Sequence, residues 1–304
     1  MIEVTSRKFI DNAGVRFRDR KELPSDRETI QAYRWLRSGN LPVLFNSISG
    51  LILNRQALLS GRLKRTDTII RKLRREKTMK LSSMDDIVGF RIIVSTRAEQ
   101  KKVVDCLSNG LSVKAIKDYV DSPPASGYRG IHIIGAAETF LSGNREPTRF
   151  TYEIQVRTFF QHIWSTTSES FGEQVKEGGG SLEQREYLDS FSKKVVLFEE
   201  NNPDFVQDEG LVPDGKINYF VVNFDKSKGV LIKTQMFYDA IVKALEYYQY
   251  LENLLSKNLN NEVTLLAVPH GEERLRITHL RYFRPYGRPE IPIEIRPETA
   301  IPGS

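Results

Sequence analysis

Cysteine is almost missing from this chain of 304 residues. Cys106 stands alone, which excludes an internal disulfide and a cysteine-rich zinc site, and its neighbours Val103, Val104 and Leu107 read as a buried setting. Long apolar runs are absent, so no segment is expected to cross a bilayer. The residues after Met1 form a mixed charged stretch with Arg7, Lys8 and Arg16 rather than a basic-then-apolar leader. A cytoplasmic protein with no membrane association is the expectation. Internal repeats and low-complexity tracts are missing as well, which leaves out solenoids and arrays.

What is present is a hydrophobic fraction of 39%, enough to build a core for one large domain or two ordinary ones. The formal charge of +6 is modest, but nine Lys and Arg residues face two acids between Arg62 and Lys80. Such a cluster suits a polyanionic partner, and it is equally the pattern of a solvated helix face.

Apolar residues between Asp26 and Leu63 recur at helical spacing, with a break at Leu41-Pro42 that makes two helices. A basic helix is predicted over Thr66 to Lys77, with Ile69, Ile70 and Leu73 on its apolar side. The β-branched and aromatic runs Ile87 to Val94 and Tyr152 to Val156 read as strands. Between them lie a helix at Arg97 to Leu107 and a strand around Ile131 to Ala136. A helix follows to about Gly172, then a glycine joint at 178–180, then a helix over Leu182 to Glu200. The stretch 201–215, rich in Asn, Pro, Asp and Gly, divides residues 1–200 from a smaller unit at 216–304. That unit is expected to hold strands at Tyr219 to Phe224, Val230 to Thr234, Val263 to Val268 and Leu275 to Leu280. A long helix from Tyr238 to Ser256 and an extended Pro-rich tail from Pro285 complete it. The fold class that follows is α+β, a mixed sheet flanked by helices with a smaller C-terminal α/β unit.

Four segments carry chemistry. In GRLKRTDTIIRK, Arg62 and Lys64 precede a helix bearing Lys72, so cations can converge on a triphosphate from a loop and a helix face. In DDIVGFR, Asp86 opens an apolar strand that contains Arg91; Asp86 can hold Mg2+ against nucleotide phosphates, or be an N-cap, or form a structural ion pair with Arg91. In KDYVDSPPASGYRGIH, prolines and glycine force a tight loop that presents Tyr128 ahead of His132; the tyrosine can stack a base or simply pack on the surface, and the histidine can be structural. In YEIQVRT, period-two alternation puts Glu153, Gln155 and Arg157 on one strand face, where Glu153 could accept a hydroxyl proton; an edge strand with a wet polar side is the plainer reading.

Together and in this order, the four segments resemble the synthetase domain of RelA/SpoT proteins, and within that family the small stand-alone alarmone synthetases. The resemblance spans about residues 45 to 175. It implies a nucleotidyltransferase-like sheet and transfer of the β,γ-pyrophosphate of ATP to the 3′-hydroxyl of GDP or GTP. It also implies that Arg62, Lys64, Lys72 and Arg91 hold ATP, that Asp86 and Glu153 hold Mg2+, and that Glu153 activates the acceptor hydroxyl. Tyr128 would then stack the acceptor base, with His132, Gln155, Arg157 and Lys117 on that side. The four histidines include no His-Asp pair, so a hydrolase segment is not expected. Beyond Trp164 the chain reads STTSESFGEQVK, which departs from the small synthetases and opens the choice of acceptor. A toxin-like relative that modifies adenine nucleotides or the 3′ end of tRNA, with Arg74, Arg75, Lys77 and Lys80 on the backbone, is one alternative. A catalytically silent nucleotide- or RNA-binding module is the other. The C-terminal unit is expected to serve as an oligomer interface, making a homo-oligomer, or as a sensor or an inhibitory module.

Overall fold

The structure is a computed structural model that describes residues 6–140, 147–171, 180–205, 216–255, 258 and 260–283. Most of the glycine joint, residues 206–215 of the expected linker and the Pro-rich tail lie outside the described residues. Three helices lead the chain: α1 (Arg7–Arg18), α2 (Pro24–Ser38) and α3 (Leu41–Leu51). Ser6 caps α1 by accepting the Phe9 N–H, and Pro24 and Pro42 occupy first turns, where a missing N–H costs nothing. There follow β1 (Ala57–Leu63), α4 (Thr66–Arg75), β2 (Val88–Val94), α5 (Arg97–Gly110), β3 (Val113–Asp118), β4 (Ile131–Phe140) and β5 (Pro147–Thr158). The remainder is α6 (Phe159–Ser170), α7 (Leu182–Asn201), β6 (Ile217–Asp225), β7 (Val230–Tyr238), α8 (Ile241–Leu254), β8 (Asn261–Pro269), α9 (Glu272–Thr278) and a 3₁₀ turn at Leu280–Tyr282.

Two expectations need correction. Ala57–Leu63 is a strand, although the sequence reads as helical to Leu63; apolar spacing in so short a run fits either state, and pairing from Ala57↔Val94 to Leu63↔Val88 decides it. Leu275 to Leu280 is not a strand but the end of α9 and the turn after it. Glu272 and Glu273 in the first turn complement the α9 dipole.

Among the described residues, eight strands form one sheet in the order β3-β4-β5-β2-β1-β8-β6-β7. β2 and β5 run parallel and the other neighbours antiparallel, so the sheet is mixed. The C-terminal strands have no sheet of their own: β8 joins β1 through Gly61↔Ala267 and Arg62↔Leu266. We retain the division at 201–215 as a proposal about chain organisation only.

One sheet face is the main core. Leu59, Leu63, Phe90, Ile92, Ile154 and Val156 pack there against Ile30, Tyr33, Phe45 and Ile48 of α2 and α3, Leu107 of α5 and Tyr248 of α8. Burying each such side chain contributes about 1.5–3 kcal/mol, so this face carries most of the stability. The opposite face is covered only in part. Phe160, Ile163 and Trp164 of α6 pack on Leu188 and Phe191 of α7, and Leu58 and Ile93 meet Phe159 and Ile277. Between these patches a cleft stays open.

Candidate active site

Strand register decides which side chains look into that cleft. Arg62 pairs with Gly89 and Ser60 with Arg91, so Arg62 and Arg91 share a face. Across the parallel pair, Gly89 stands beside Glu153 and Arg91 beside Gln155. His132 of β4 pairs with Gln155 of β5, and Lys117 of β3 pairs with His132. The strand residues expected from the sequence therefore lie on one face of five neighbouring strands. Lys117 sits at its exposed edge.

The cations of the first segment arrive differently from expectation. Arg62 is on β1 itself, and its side chain lies over Gly89, where a Cβ would stand 3.6 Å from Nε. Lys64 follows the strand, fixed by its N–H to the Ile87 carbonyl at 2.8 Å. Its Nζ donates to Asp86 Oδ2 at 2.6 Å, and Lys72 Nζ from α4 donates to Oδ1 at 2.9 Å. The Asp86–Arg91 pair considered from sequence does not form; the nearer lysines take both carboxylate oxygens. Burial would raise the Asp86 pKa, but the two ammonium groups hold it well below the ordinary carboxylate range. Burial pushes Lys64 down to about 8 despite Asp86.

A second group closes into a ring of hydrogen bonds. Glu153 Oε1 lies 3.1 Å from His132 Nδ1, and Gln155 donates to Glu153 Oε2 at 2.7 Å. Arg157 donates to Gln155 Oε1 at 2.8 Å and to the Tyr128 hydroxyl at 3.1 Å, and that hydroxyl lies 2.6 Å from His132 Nε2. Burial raises Glu153 and Asp86 adds to the rise, but the His132 contact and the Gln155 bond bring it down to about 2. Glu153 is thus ionised and well oriented but weakly basic.

Local sequence explains this placement. Asp118 accepts the N–H groups of Val120 and Asp121, opening the loop to 130 as an Asx turn. Gly130 has φ 154°, and a Cβ there would come within 2.8 Å of the Tyr128 hydroxyl. The Tyr128 ring is enclosed, with Tyr119, His132 and Trp164 centroids at 5.7, 5.5 and 6.1 Å. After Arg157, Thr158 and Gln161 form a capping box that starts α6.

Arg62, Lys64, Lys72, Asp86, Arg91, Gln155 and Arg157 border a cavity of about 350 Å³, within the usual range for small-molecule sites, whereas Tyr128, His132 and Glu153 are not part of its lining. Among the described residues, nine Lys and Arg side chains line it against two carboxylates, Asp86 and Glu169. Thr68, Arg71 and Arg75 join Lys72 along one side of α4, a helical spacing readable in the sequence. Arg74, grouped with Arg75 from sequence, turns away and pairs with Glu22 at 2.9 Å. Sequence reasoning missed the far wall altogether: Thr264 and Leu266 of β8, then His279, Arg281 and Tyr282. Arg91 donates to the Thr278 carbonyl at 2.9 Å, which ties that wall to β2. His279 is pushed well below the ordinary imidazole value by burial and by the charges of Arg91 and Arg62. No cluster of three or more His, Cys, Asp or Glu suited to a metal occurs among the described residues. Asp86 and Glu153 nevertheless fit the two-carboxylate set that Mg2+ takes with phosphate oxygens, both being ionised and Asp86 near enough for its charge to act on Glu153.

Residues 61–171 match the family described as the region found in RelA / SpoT proteins. The GTP pyrophosphokinase YwaC of Bacillus subtilis is 33% identical over 114 residues, 35% of this chain and 53% of that protein. Uncharacterized protein Rv1366 of Mycobacterium tuberculosis is 31% identical over 126 residues, 40% of this chain and 42% of that protein. The chain thus spans about half the length, or less, of these relatives. Among solved structures, small alarmone synthetase 1 of Bacillus subtilis bound to its product pppGpp aligns with a TM-score of 0.47 and 24% identity, covering 55% of this chain and 90% of that one. No helix among the described residues is long and apolar enough to cross a membrane.

Proposed function

We propose that the protein transfers the β,γ-pyrophosphate of ATP to the 3′-hydroxyl of GDP or GTP. The observation that carries this reading is a cation-lined cavity that holds the ionised Asp86, with ionised Glu153 hydrogen-bonded to Gln155 of the cavity lining. Phosphoryl-type transfer needs positioning and charge neutralisation more than covalent chemistry, and this arrangement supplies both.

In this reading Arg62 and Arg91 hold the donor base, while Lys64 and Lys72 exchange part of their hold on Asp86 for donor phosphates. Asp86 and Glu153 are the residues that would hold Mg2+; when bound, the ion neutralises charge on the transferred group. The acceptor oxygen attacks the β-phosphorus, the bond between α- and β-phosphates breaks, AMP leaves and the hydroxyl proton passes to solvent. Glu153 accepts the hydrogen bond of the attacking hydroxyl and orients it; at a pKa of about 2 it positions more than it abstracts. His132, Gln155 and Arg157 keep Glu153 in place. Tyr128 takes the acceptor base once its ring is freed from its neighbours, a stack worth about 1–3 kcal/mol. Lys117 at the edge meets acceptor phosphate.

The test is incubation with Mg2+ and γ-labelled ATP, offering GDP, GTP, ADP and deacylated tRNA separately. Label in ppGpp or pppGpp is expected. Label confined to tRNA or to an adenine nucleotide would replace the acceptor, and no transfer under any condition would overturn the enzyme reading. Glu153→Gln should abolish transfer while an ATP analogue still binds.

A further inference from the structure

Three buried guanidinium nitrogens around the cavity have no hydrogen-bond partner among the described residues: Arg91 Nε, Arg157 Nη1 and Arg281 Nε. They come from β2, from β5 and from the turn that follows α9. Each of these nitrogens is sealed from solvent, and Arg37 carries such orphans away from the cavity, so what the three residues share is a place in the cavity wall and a guanidinium that its neighbours do not fully satisfy. Two of them belong to residues 61–171; Arg281 does not.

Arg281 is held, not loose. Its Nη2 donates to Glu262 Oε2 at 3.0 Å, the Tyr282 hydroxyl donates to Oε1 at 2.6 Å, and Arg65, next to Lys64, pairs with the same carboxylate. Glu262 is only 3% exposed. One carboxylate shared by two guanidinium groups leaves a net positive charge at the cavity wall, on top of the surplus of cations already there. The frame therefore fixes Arg281 in place without neutralising it. A planar fork set in this way is suited to phosphate oxygens.

We propose that Arg281, framed by Glu262 and Tyr282, is a binding residue for the polyphosphate of the nucleotide in this cavity, so that the C-terminal segment completes the site. The inference rests on the reading of the cavity as a nucleotide site and adds a wall outside the RelA/SpoT region. The rival is that residues 278–282 obstruct the site. His279 does border the gap between Arg62 and Arg91, which at about 10 Å³ admits at most one water. The 350 Å³ cavity beside that gap has Arg281 in its wall, which favours a contact over a plug.

The experiment is calorimetric titration of the full chain with inorganic tripolyphosphate and with a non-hydrolysable ATP analogue, for wild type, Arg281→Gln and Arg281→Lys, with melting curves alongside. Arg281→Gln should weaken tripolyphosphate binding tenfold or more. Arg281→Lys keeps a cation for Glu262 but removes the fork, and should weaken binding severalfold at a nearly unchanged melting temperature; it serves as the measure if Arg281→Gln does not fold. Unchanged affinity in the folded variants would overturn the proposal, as would tighter binding, which would mark the segment as an obstruction, or a wild type that does not bind tripolyphosphate. A wild type that binds tripolyphosphate in an Arg281-dependent way but transfers nothing would sink the catalytic reading and leave this one standing.

Discussion

Asp86 in the RelA/SpoT region and Glu262 in the C-terminal segment are built alike. Each is a buried carboxylate gripped by two cations, Lys64 and Lys72 for the first, Arg65 and Arg281 for the second. Burial pushes both pKa values up, and the paired cations bring both down. They differ in what lies beyond them. Asp86 lines the cavity, so its lysines can turn to an incoming phosphate and its oxygens to a metal. Glu262 stands behind the wall, with the Tyr282 hydroxyl completing its shell. The same ion triad thus faces the 350 Å³ cavity in one place and stands outside it in the other, where Glu262 and Arg65 border a separate cavity of about 200 Å³.

Asp86→Asn should cut transfer by on the order of 10³-fold or more, because it removes the candidate metal ligand and leaves two lysines uncompensated; transfer within tenfold of wild type would show that Asp86 is only structural. Glu262→Gln should lower stability by about 3 kcal/mol, the usual loss when one partner of a buried pair is removed. Its specific transfer in the folded fraction should fall far less than for Asp86→Asn, and chemical denaturation with a parallel assay would detect the reverse. Glu153 sharpens the contrast through pH. Its folded pKa lies below the ordinary 4.5, so the stability it contributes is present above about 4.5 and is lost as pH falls toward 2. Glu153→Gln should therefore unfold less steeply with acid between pH 5 and 3; an unchanged slope would mean the ring around Glu153 does not hold it ionised. The smallest effect belongs to Glu138→Ala. It removes an exposed pair with Arg149, at side-chain exposures of 53% and 85%, and should change stability by under about 0.5 kcal/mol.

Much of the fold was legible because its signals are local. Period-two spacing set Glu153, Gln155 and Arg157 on one face and Ile154 and Val156 on the other, and the Pro/Gly loop before His132 announced its turn. Ala57–Leu63 was misread because a short apolar run fits two periods until a partner strand fixes one. Leu275 to Leu280 failed for a related reason: β-propensity there lost to a helix start with two acids in its first turn. The cations of the first segment were found as types and spacing, but their grip on Asp86 was not, since it depends on where α4 lies against β2.

The sequence by itself determined the kinds of groups at the site, their strand and helix periodicity and the family resemblance, because these rest on neighbours within a few residues. Tertiary structure alone decided that Asp86 takes lysines rather than Arg91, that Glu153 closes a ring through Tyr128, and that Arg281 reaches the cavity at all. The last depends on β8 pairing with β1 across some two hundred residues. No local propensity encodes such a pairing, because its free energy exists only once the sheet has assembled around it.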